Sequence, residues 1–306
     1  MPSSYAFFKK QFVPLAEANV NIMTHALHYG TAIFEGIRGN WNSQQKQIFI
    51  FRQEEHYQRL INGCKVMRMK MPYSIDEMCQ RTVELAQKCA FEQDIYVRPL
   101  AYKCSEALGV RVHDVDDDFT VFIIPWGRYI DVDKARCTVS AWQCPTDNSI
   151  PPQVKIMGHY AGNAMAKSDA VEKGFDECVM LSHDGYVAQG SGENIFLVLN
   201  GKLITPPTWN NILPGITRDS VITLAKNELG IETQERPVDR LELFLADEVF
   251  LTGTAAHVTP VAEIDHRQVG DGEIGKITGQ LQKIYADVIR GDNSKYFHWC
   301  TPVYKK

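Results

Sequence analysis

The amino-acid sequence predicts a mixed α/β (α+β) protein built as two α/β domains joined by a short linker. Strand-like and helix-like stretches alternate along all 306 residues, which points to a mixed class rather than a helix bundle or a β-sandwich. A chain of this length suits one large core or two domains of ordinary size. Gly127 to Lys134 is polar and has no periodicity of its own, so it is the expected linker. The division is then a smaller N-terminal domain (1–126), a linker (127–134) and a larger C-terminal domain (135–306).

In the first domain, Gln47 to Arg52 reads as a strand. Gln53 to Met69 follows as a helix with Tyr57, Leu60, Ile61 and Val66 apolar. Ser74-Ile75-Asp76-Glu77 is a capping box that opens a second helix running to Ala90. Ile95 to Cys104 and Phe119 to Trp126 read as strands. In the second domain, Cys137 to Trp142 is a strand, Pro145, Pro151 and Pro152 mark a loop, and Tyr160 to Lys173 is a helix. Strands then follow at Glu177 to Ser182, Gly185 to Gln189, Asn194 to Leu199 and Leu203 to Thr205. His183-Asp184-Gly185 and Asn200-Gly201 are the turns between them. A helix opens after Pro214-Gly215, with Thr217 expected as its N-cap and Gly230 as its stop. A strand at Glu248 to Thr252 and a helix from Ile274 to Ile289 complete the pattern. No internal repeat is present.

The formal net charge of -5 argues against nucleic acid or an anionic membrane as the main partner. The longest apolar run, Phe119 to Trp126, is too short to span a bilayer, and residues 1–20 lack a signal-peptide core. The eight cysteines form no C-x-x-C pair; their even count allows four disulfides, but a chain of this size without a secretion signal does not need them, so reduced thiols in a cytoplasmic protein are expected. No metal-ligand spacing occurs, and His25 and His28 read as packing and hydrogen-bonding residues.

Several residues carry chemistry. The helix start at Leu213-Pro214-Gly215-Ile216-Thr217 offers unpaired N–H groups to an anion such as phosphate, or is an ordinary capped helix. Gly253-Thr254-Ala255-Ala256 follows a buried strand and is either a second anion-binding loop or a packing turn. Arg59 is a phosphate-gripping arginine or a surface one. Lys155, flanked by Val154, Ile156 and Met157, is a nucleophilic amine in apolar surroundings or a lysine on a strand edge. Its competitor Lys167, near Asp169 and Glu172, reads as part of a solvated helix face. Glu193 stands on a glycine-rich bend, Gly190-Ser191-Gly192, that runs from strand to strand and so is no dinucleotide fingerprint. Arg98, in an otherwise buried strand, is half of an ion pair or the binder of a substrate carboxylate.

Nine segments in order resemble the branched-chain amino acid aminotransferases of the fold-type IV pyridoxal 5'-phosphate (PLP) family. They are His25–Gly39, Phe51–Leu60, Tyr96–Leu100, Pro125–Tyr129, the Lys155/Tyr160 pair, Gly192–Phe196, Leu213–Ser220, Ala246–Phe250 and Thr252–Pro260. The resemblance implies transamination between leucine, isoleucine or valine and 2-oxoglutarate by a ping-pong mechanism. It implies that Lys155 binds PLP covalently and moves the proton, Glu193 pairs with the pyridine nitrogen, and Tyr160 bonds the phenolic oxygen. Arg59, Ile216, Thr217 and Thr254 would hold the phosphate, and Leu213 would pack on the ring. Tyr96 and Ala255 would bind the α-carboxylate. Phe34, Gly36 and Tyr160 would line an apolar pocket, and Arg98, Tyr129 and Tyr29 would take the distal carboxylate of glutamate. In this family Tyr29 comes from a partner subunit, so the chain should form at least a homodimer.

The chain departs from the family pattern at Met157-Gly158-His159, and at Ser105 to Val112, which lacks the usual glycine-rich form. Within the same fold, D-amino acid and (R)-amine transaminases and aminodeoxychorismate lyases reuse the lysine, the glutamate and the phosphate cup. The segments His25–Gly39 and Tyr96–Leu100 favour the branched-chain group. A phosphate-binding protein without catalysis is the alternative of another class, and it leaves Lys155 and Glu193 without a purpose.

Overall fold

The computed structural model describes residues 3–127 and 132–304. Two compact units emerge: residues 1–127, 154–158 and 287–306 form the first, and residues 128–153 and 159–286 the second.

The first unit carries a sheet of β1 (Tyr5–Phe8), β2 (Gln11–Pro14), β3 (Ala32–Phe34), β4 (Ile37–Asn42), β5 (Gln47–Phe51), β6 (Ile95–Lys103) and β7 (Asp117–Pro125). The C-terminal strand Cys300–Pro302 is its edge. The order is Cys300–Pro302, β5, β4, β6, β7, β1, β2, with β3 beside the far end of β6. The antiparallel β6–β7 register pairs Tyr96 with Ile124 and Arg98 with Phe122, so Tyr96 and Arg98 share a face. Helices α1 (His25–Tyr29), α2 (Gln53–Val66) and α3 (Ile75–Cys89) accompany this sheet. The Ser74/Glu77 capping box opens α3 as expected, and Ala90 closes it in the left-handed region.

The second unit is built on β8 (Ala135–Gln143), β9 (Glu177–Leu181), β10 (Val187–Gly190), β11 (Asn194–Leu199), β12 (Lys202–Thr205), β13 (Thr233–Glu235), β14 (Glu248–Gly253), β15 (His257–Ile264) and β16 (Arg267–Gln268). Its order is β10, β9, β8, β15, β14, β11, β12, β13, and β10 also pairs with β11. One face buries Val179, Ile195, Leu197, Val249, Leu251 and Val261 in a common core. Helices α4 (Tyr160–Glu172), α5 (Ile216–Leu229) and α6 (Glu242–Leu245) belong to this unit; α7 (Lys276–Ile289) begins in it.

Three expectations are revised. Lys155 and the C-terminal residues fall in the first unit rather than the C-terminal domain. Ile156 bridges Ile33 and the Phe34 N–H donates to the Lys155 carbonyl, so backbone pairing draws 154–158 onto β3. Strand Cys300–Pro302 pairs with β5 in the same way. Second, the N-cap of α5 is Gly215, in an extended conformation, and Thr217 is the second helical residue. The proline-set turn makes Gly215 the last non-helical position, with Gly230 closing the helix in the left-handed region as expected. Third, Lys167 is half-buried rather than part of a freely solvated face: its ammonium donates to Glu177, whose carboxylate is fully buried, at 2.7 Å. Of the expected linker, residues 128–131 lie outside those described.

The eight cysteines are free. Burial pushes their thiols up, to about 11 even at half-buried Cys104, so none is a ready thiolate. Among the described residues no helix is long and apolar enough to cross a membrane, and no acid, histidine and cysteine group could hold a metal.

Candidate active site

In the first unit the expected site residues gather around Lys155. The Phe34 N–H holds the Lys155 carbonyl at 3.1 Å, and the Lys155 amine lies 4.6 Å from the centre of the Phe34 ring. Burial and the neighbouring Arg59 lower its pKa from 10.5 to about 8. A lysine largely neutral just above physiological pH is a competent nucleophile and base.

Arg59, on α2, is held by Glu35. Its Nε donates to Oε1 at 2.7 Å and its Nη2 to Oε2 at 2.8 Å, a two-pronged grip that fixes the plane of the guanidinium. Glu35 is fully buried and also accepts from His56 Nδ1 at 2.7 Å. Burial opposes ionisation of Glu35, but Arg59 and His56 hold its carboxyl well below the usual carboxylate range. Burial depresses the His56 imidazole, which keeps it neutral with Nδ1 as the donor. Neither Glu35 nor His56 was picked out in the sequence. Their signal is two polar residues on the core-facing side of an apolar pattern, each of which needs a partner.

Arg98 Nη2 donates to the Tyr96 hydroxyl at 2.9 Å, and its guanidinium lies 4.8 Å from the centre of the Phe34 ring. No described carboxylate pairs with it, so the ion-pair reading is set aside. Its Nε is buried without a hydrogen bond, which leaves capacity for an external carboxylate. Phe34 is thus flanked by two cationic groups, a cation–π arrangement. Any side chain at Gly36 would overlap the Tyr96 hydroxyl, so glycine there is a packing requirement.

Tyr29 ends α1. Its hydroxyl accepts the Gly109 N–H at 2.9 Å, while His25 Nε2 donates to the Gly109 carbonyl at 2.9 Å. A carbonyl only accepts, so with the proton on Nε2 the His25 Nδ1 accepts from the Thr31 hydroxyl at 2.8 Å. Gly109, the one glycine of 105–112, has φ +129 and is gripped on both sides of its residue. The unusual Met157-Gly158-His159 also has a local reason. The Gly158 N–H donates to the Gly30 carbonyl at 3.2 Å, and a Cβ on Gly30 would come within 2.6 Å of Gly158 Cα.

In the second unit, Glu193 closes the bend between β10 and β11 and is almost fully buried. Its carboxylate accepts the Gly192 N–H at 3.0 Å. A Cβ on Gly190 would lie 2.7 Å from the same carboxylate, so a glycine at 190 makes room for it. Asn194 and Gln189 both bond the backbone of Leu213. Ile216 and Thr217 open α5, whose first intrahelical bond runs from Asp219 N–H to the Gly215 carbonyl at 3.0 Å. Arg218, next along, points elsewhere, to Glu235 at 2.6 Å and the Pro206 carbonyl at 3.0 Å. Thr254, Ala255 and Ala256 form the hairpin tip between paired Gly253 and His257. Among the described residues no backbone acceptor takes their N–H groups. Nearby, the Thr252 hydroxyl is buried without a hydrogen bond. Tyr160 is the first residue of α4. Tyr129 lies outside the described residues.

An amine brought near neutrality, with a fixed arginine beside it, has the chemistry to condense with a carbonyl compound and to hold an anion. Comparison with known proteins specifies the class. Residues 32–264 match the Amino-transferase class IV family, and the chain belongs to it. It is 48% identical over 303 residues, covering 99% of this chain and 97% of the relative, to a probable branched-chain-amino-acid aminotransferase of Aquifex aeolicus. The fold is similar to the solved PLP-form of a branched-chain amino acid aminotransferase from Thermobaculum terrenum (TM-score 0.94, 37% identity, 100% of both chains). It is equally similar to the branched-chain aminotransferase of the thermophilic archaeon Thermoproteus uzoniensis solved with norvaline (TM-score 0.94, 37% identity, 98% of this chain and 99% of that one). The α/β fold expected from the sequence is therefore that of the fold-type IV aminotransferases.

Proposed function

We propose that this chain is a PLP-dependent aminotransferase of branched-chain amino acids, passing the amino group of leucine, isoleucine or valine to 2-oxoglutarate in two half-reactions. The observation that carries the reading is Lys155, an amine lowered to about 8 and seated on Phe34 beside the Glu35-held Arg59. Full-length similarity to branched-chain aminotransferases supports the substrate class.

The residues fit the cofactor. PLP offers an aldehyde, a dianionic phosphate and a pyridine nitrogen. Lys155 supplies the amine, Arg59 a fixed cation, Glu193 a buried carboxylate, and 254–256 a tip of open N–H groups. When bound, PLP acts as the electron sink that makes the substrate Cα–H acidic. Lys155 would hold the cofactor covalently, and its amine, when free, would take the Cα proton and return it. Glu193 would keep the pyridine nitrogen protonated, and Tyr160 would donate to the phenolic oxygen. Arg59, Ile216, Thr217 and Thr254 would hold the phosphate, and Leu213 would pack on the ring. Tyr96 and the amide of Ala255 orient the α-carboxylate. Phe34, Gly36 and Tyr160 exclude water from an apolar side chain. Arg98 and Tyr129, with Tyr29 contributed by a partner subunit, receive the second carboxylate of glutamate. The assembly is then at least a homodimer, and the protein cytoplasmic.

The test is direct. Purified protein incubated with PLP should turn yellow, and borohydride should fix the cofactor on a peptide containing Lys155, read by mass spectrometry. L-Leucine with 2-oxoglutarate should give L-glutamate, and Lys155→Ala should abolish this. Turnover restricted to D-alanine or (R)-1-phenylethylamine would replace the substrate assignment.

A further inference from the structure

Two polar side chains of the second unit stand outside every role given above. Gln189 and Asn194 are direct cross-strand partners in the β10–β11 pair, on either side of the bend that carries Glu193. Both are about 95% buried. Their side chains converge on one residue of another segment. Gln189 Oε1 accepts the Leu213 N–H at 2.9 Å, and Asn194 Nδ2 donates to the Leu213 carbonyl at 2.9 Å. One residue of a proline-containing loop is thus held as a neighbouring strand would hold it, but by side chains. The contact extends two residues on. The Asn194 Oδ1 lies so close to Gly215 that any Cβ there would overlap it. Gly215 is the N-cap of α5, so the position of Asn194 sets where that helix starts.

Asn194 follows Glu193 directly in the chain. A single peptide unit therefore joins the carboxylate to the side chain that seats the helix start. We propose that Gln189 and Asn194 are positioning residues: a pincer on Leu213 that sets the distance between Glu193 and the N-terminus of α5, and so matches the site to the length of the cofactor. The inference rests on the PLP reading above. It concerns neither a new ligand nor a contact with substrate. Each bond of the pincer is worth more than an exposed one, because losing Asn194 leaves the half-buried Leu213 carbonyl without its partner.

The experiment is PLP titration of cofactor-stripped protein, followed by absorbance, for wild type, Asn194→Ala, Gln189→Ala, Gly215→Ala and the double variant Asn194→Ala/Gly215→Ala. Thermal melts of the stripped proteins check folding. Asn194→Ala should weaken PLP binding about tenfold, the cost of one broken, partly buried hydrogen bond. Gly215→Ala should do at least as much, because its methyl displaces Asn194. In the double variant the added methyl meets no Asn194 oxygen, so Gly215→Ala should cost much less there than in the wild-type background. That coupling is a readout that general loss of stability does not produce. Unchanged affinity in Asn194→Ala, or effects of the two substitutions that simply multiply, would overturn the pincer and leave the cofactor reading standing. Failure of the well-folded wild-type protein to take up PLP would overturn both.

Discussion

Replacing Lys155 by methionine should make the cofactor-free protein more stable while removing its activity. The amine has an ordinary value of 10.5 and is held at about 8 in the fold, first by burial and then by Arg59. A tenfold change in proton affinity is about 1.4 kcal/mol, so keeping the ammonium in place near neutral pH costs up to ~3 kcal/mol. Lys155 is half-buried and water shares part of that cost, which leaves about 1–3 kcal/mol to recover. Methionine has similar length and no charge. The sign follows from linkage. The lysine binds its proton less tightly in the folded state, so the penalty is complete below pH 8 and fades as the pH rises through 10.5, above which both states are neutral. Scanning calorimetry of stripped wild type and Lys155→Met, at one protomer concentration, should show the variant melting about 2–5 °C higher at pH 7. The gap should close as the pH approaches 10.5. A wild-type protein that is equally stable, or more so, at pH 7 would refute the claim that the fold strains this amine toward its reactive form.

Three further outcomes are expected. Glu35→Gln leaves Arg59 and His56 around an uncharged amide, and should cost about 3 kcal/mol at pH 7. Because the Glu35 carboxyl is held far below its ordinary 4.5, the wild-type advantage should shrink as the pH falls below that value; denaturant melts from pH 7 to pH 3 measure it. Arg98→Leu should raise the KM for 2-oxoglutarate about tenfold or more and change that for leucine far less, as steady-state kinetics with each substrate will show. Gly36→Ala should lower kcat/KM for leucine by displacing the Tyr96 hydroxyl and ring edge, a loss that steady-state kinetics will measure.

What could be read in advance was what short segments decide for themselves. Ser74 and Glu77 close their capping box within four residues, and Gly230 needs only its own left-handed backbone, so both helix ends were visible. Strand β4 was not. It contains Gly39, which reads as a break, yet a Cβ there would come within 2.6 Å of Ile95 and 2.7 Å of Ile48. Strand β15 was hidden in the same way by Pro260, which pairs opposite Phe250 inside the sheet. In both cases the residue suits its neighbours across the sheet rather than those in sequence.

The site follows the same rule. Lys155 could be suspected from apolar neighbours at adjacent positions, but its lowered affinity also needs Arg59, nearly a hundred residues earlier. Glu35 stood in a quoted motif without a role because its partners sit 21 and 24 residues on, along a helix turned toward it. Lys167 was misread because its helix neighbours Asp169 and Glu172 explain a lysine well enough locally, whereas its partner is Glu177 on the following strand. Asn194 and Gln189 were the least legible, since the groups they bind are a backbone N–H and C=O that every residue except proline carries. Residues that touch the cofactor have a restricted chemistry and so form motifs. Residues that hold those residues in place are constrained by geometry alone, which becomes visible only when the backbone they grip is placed.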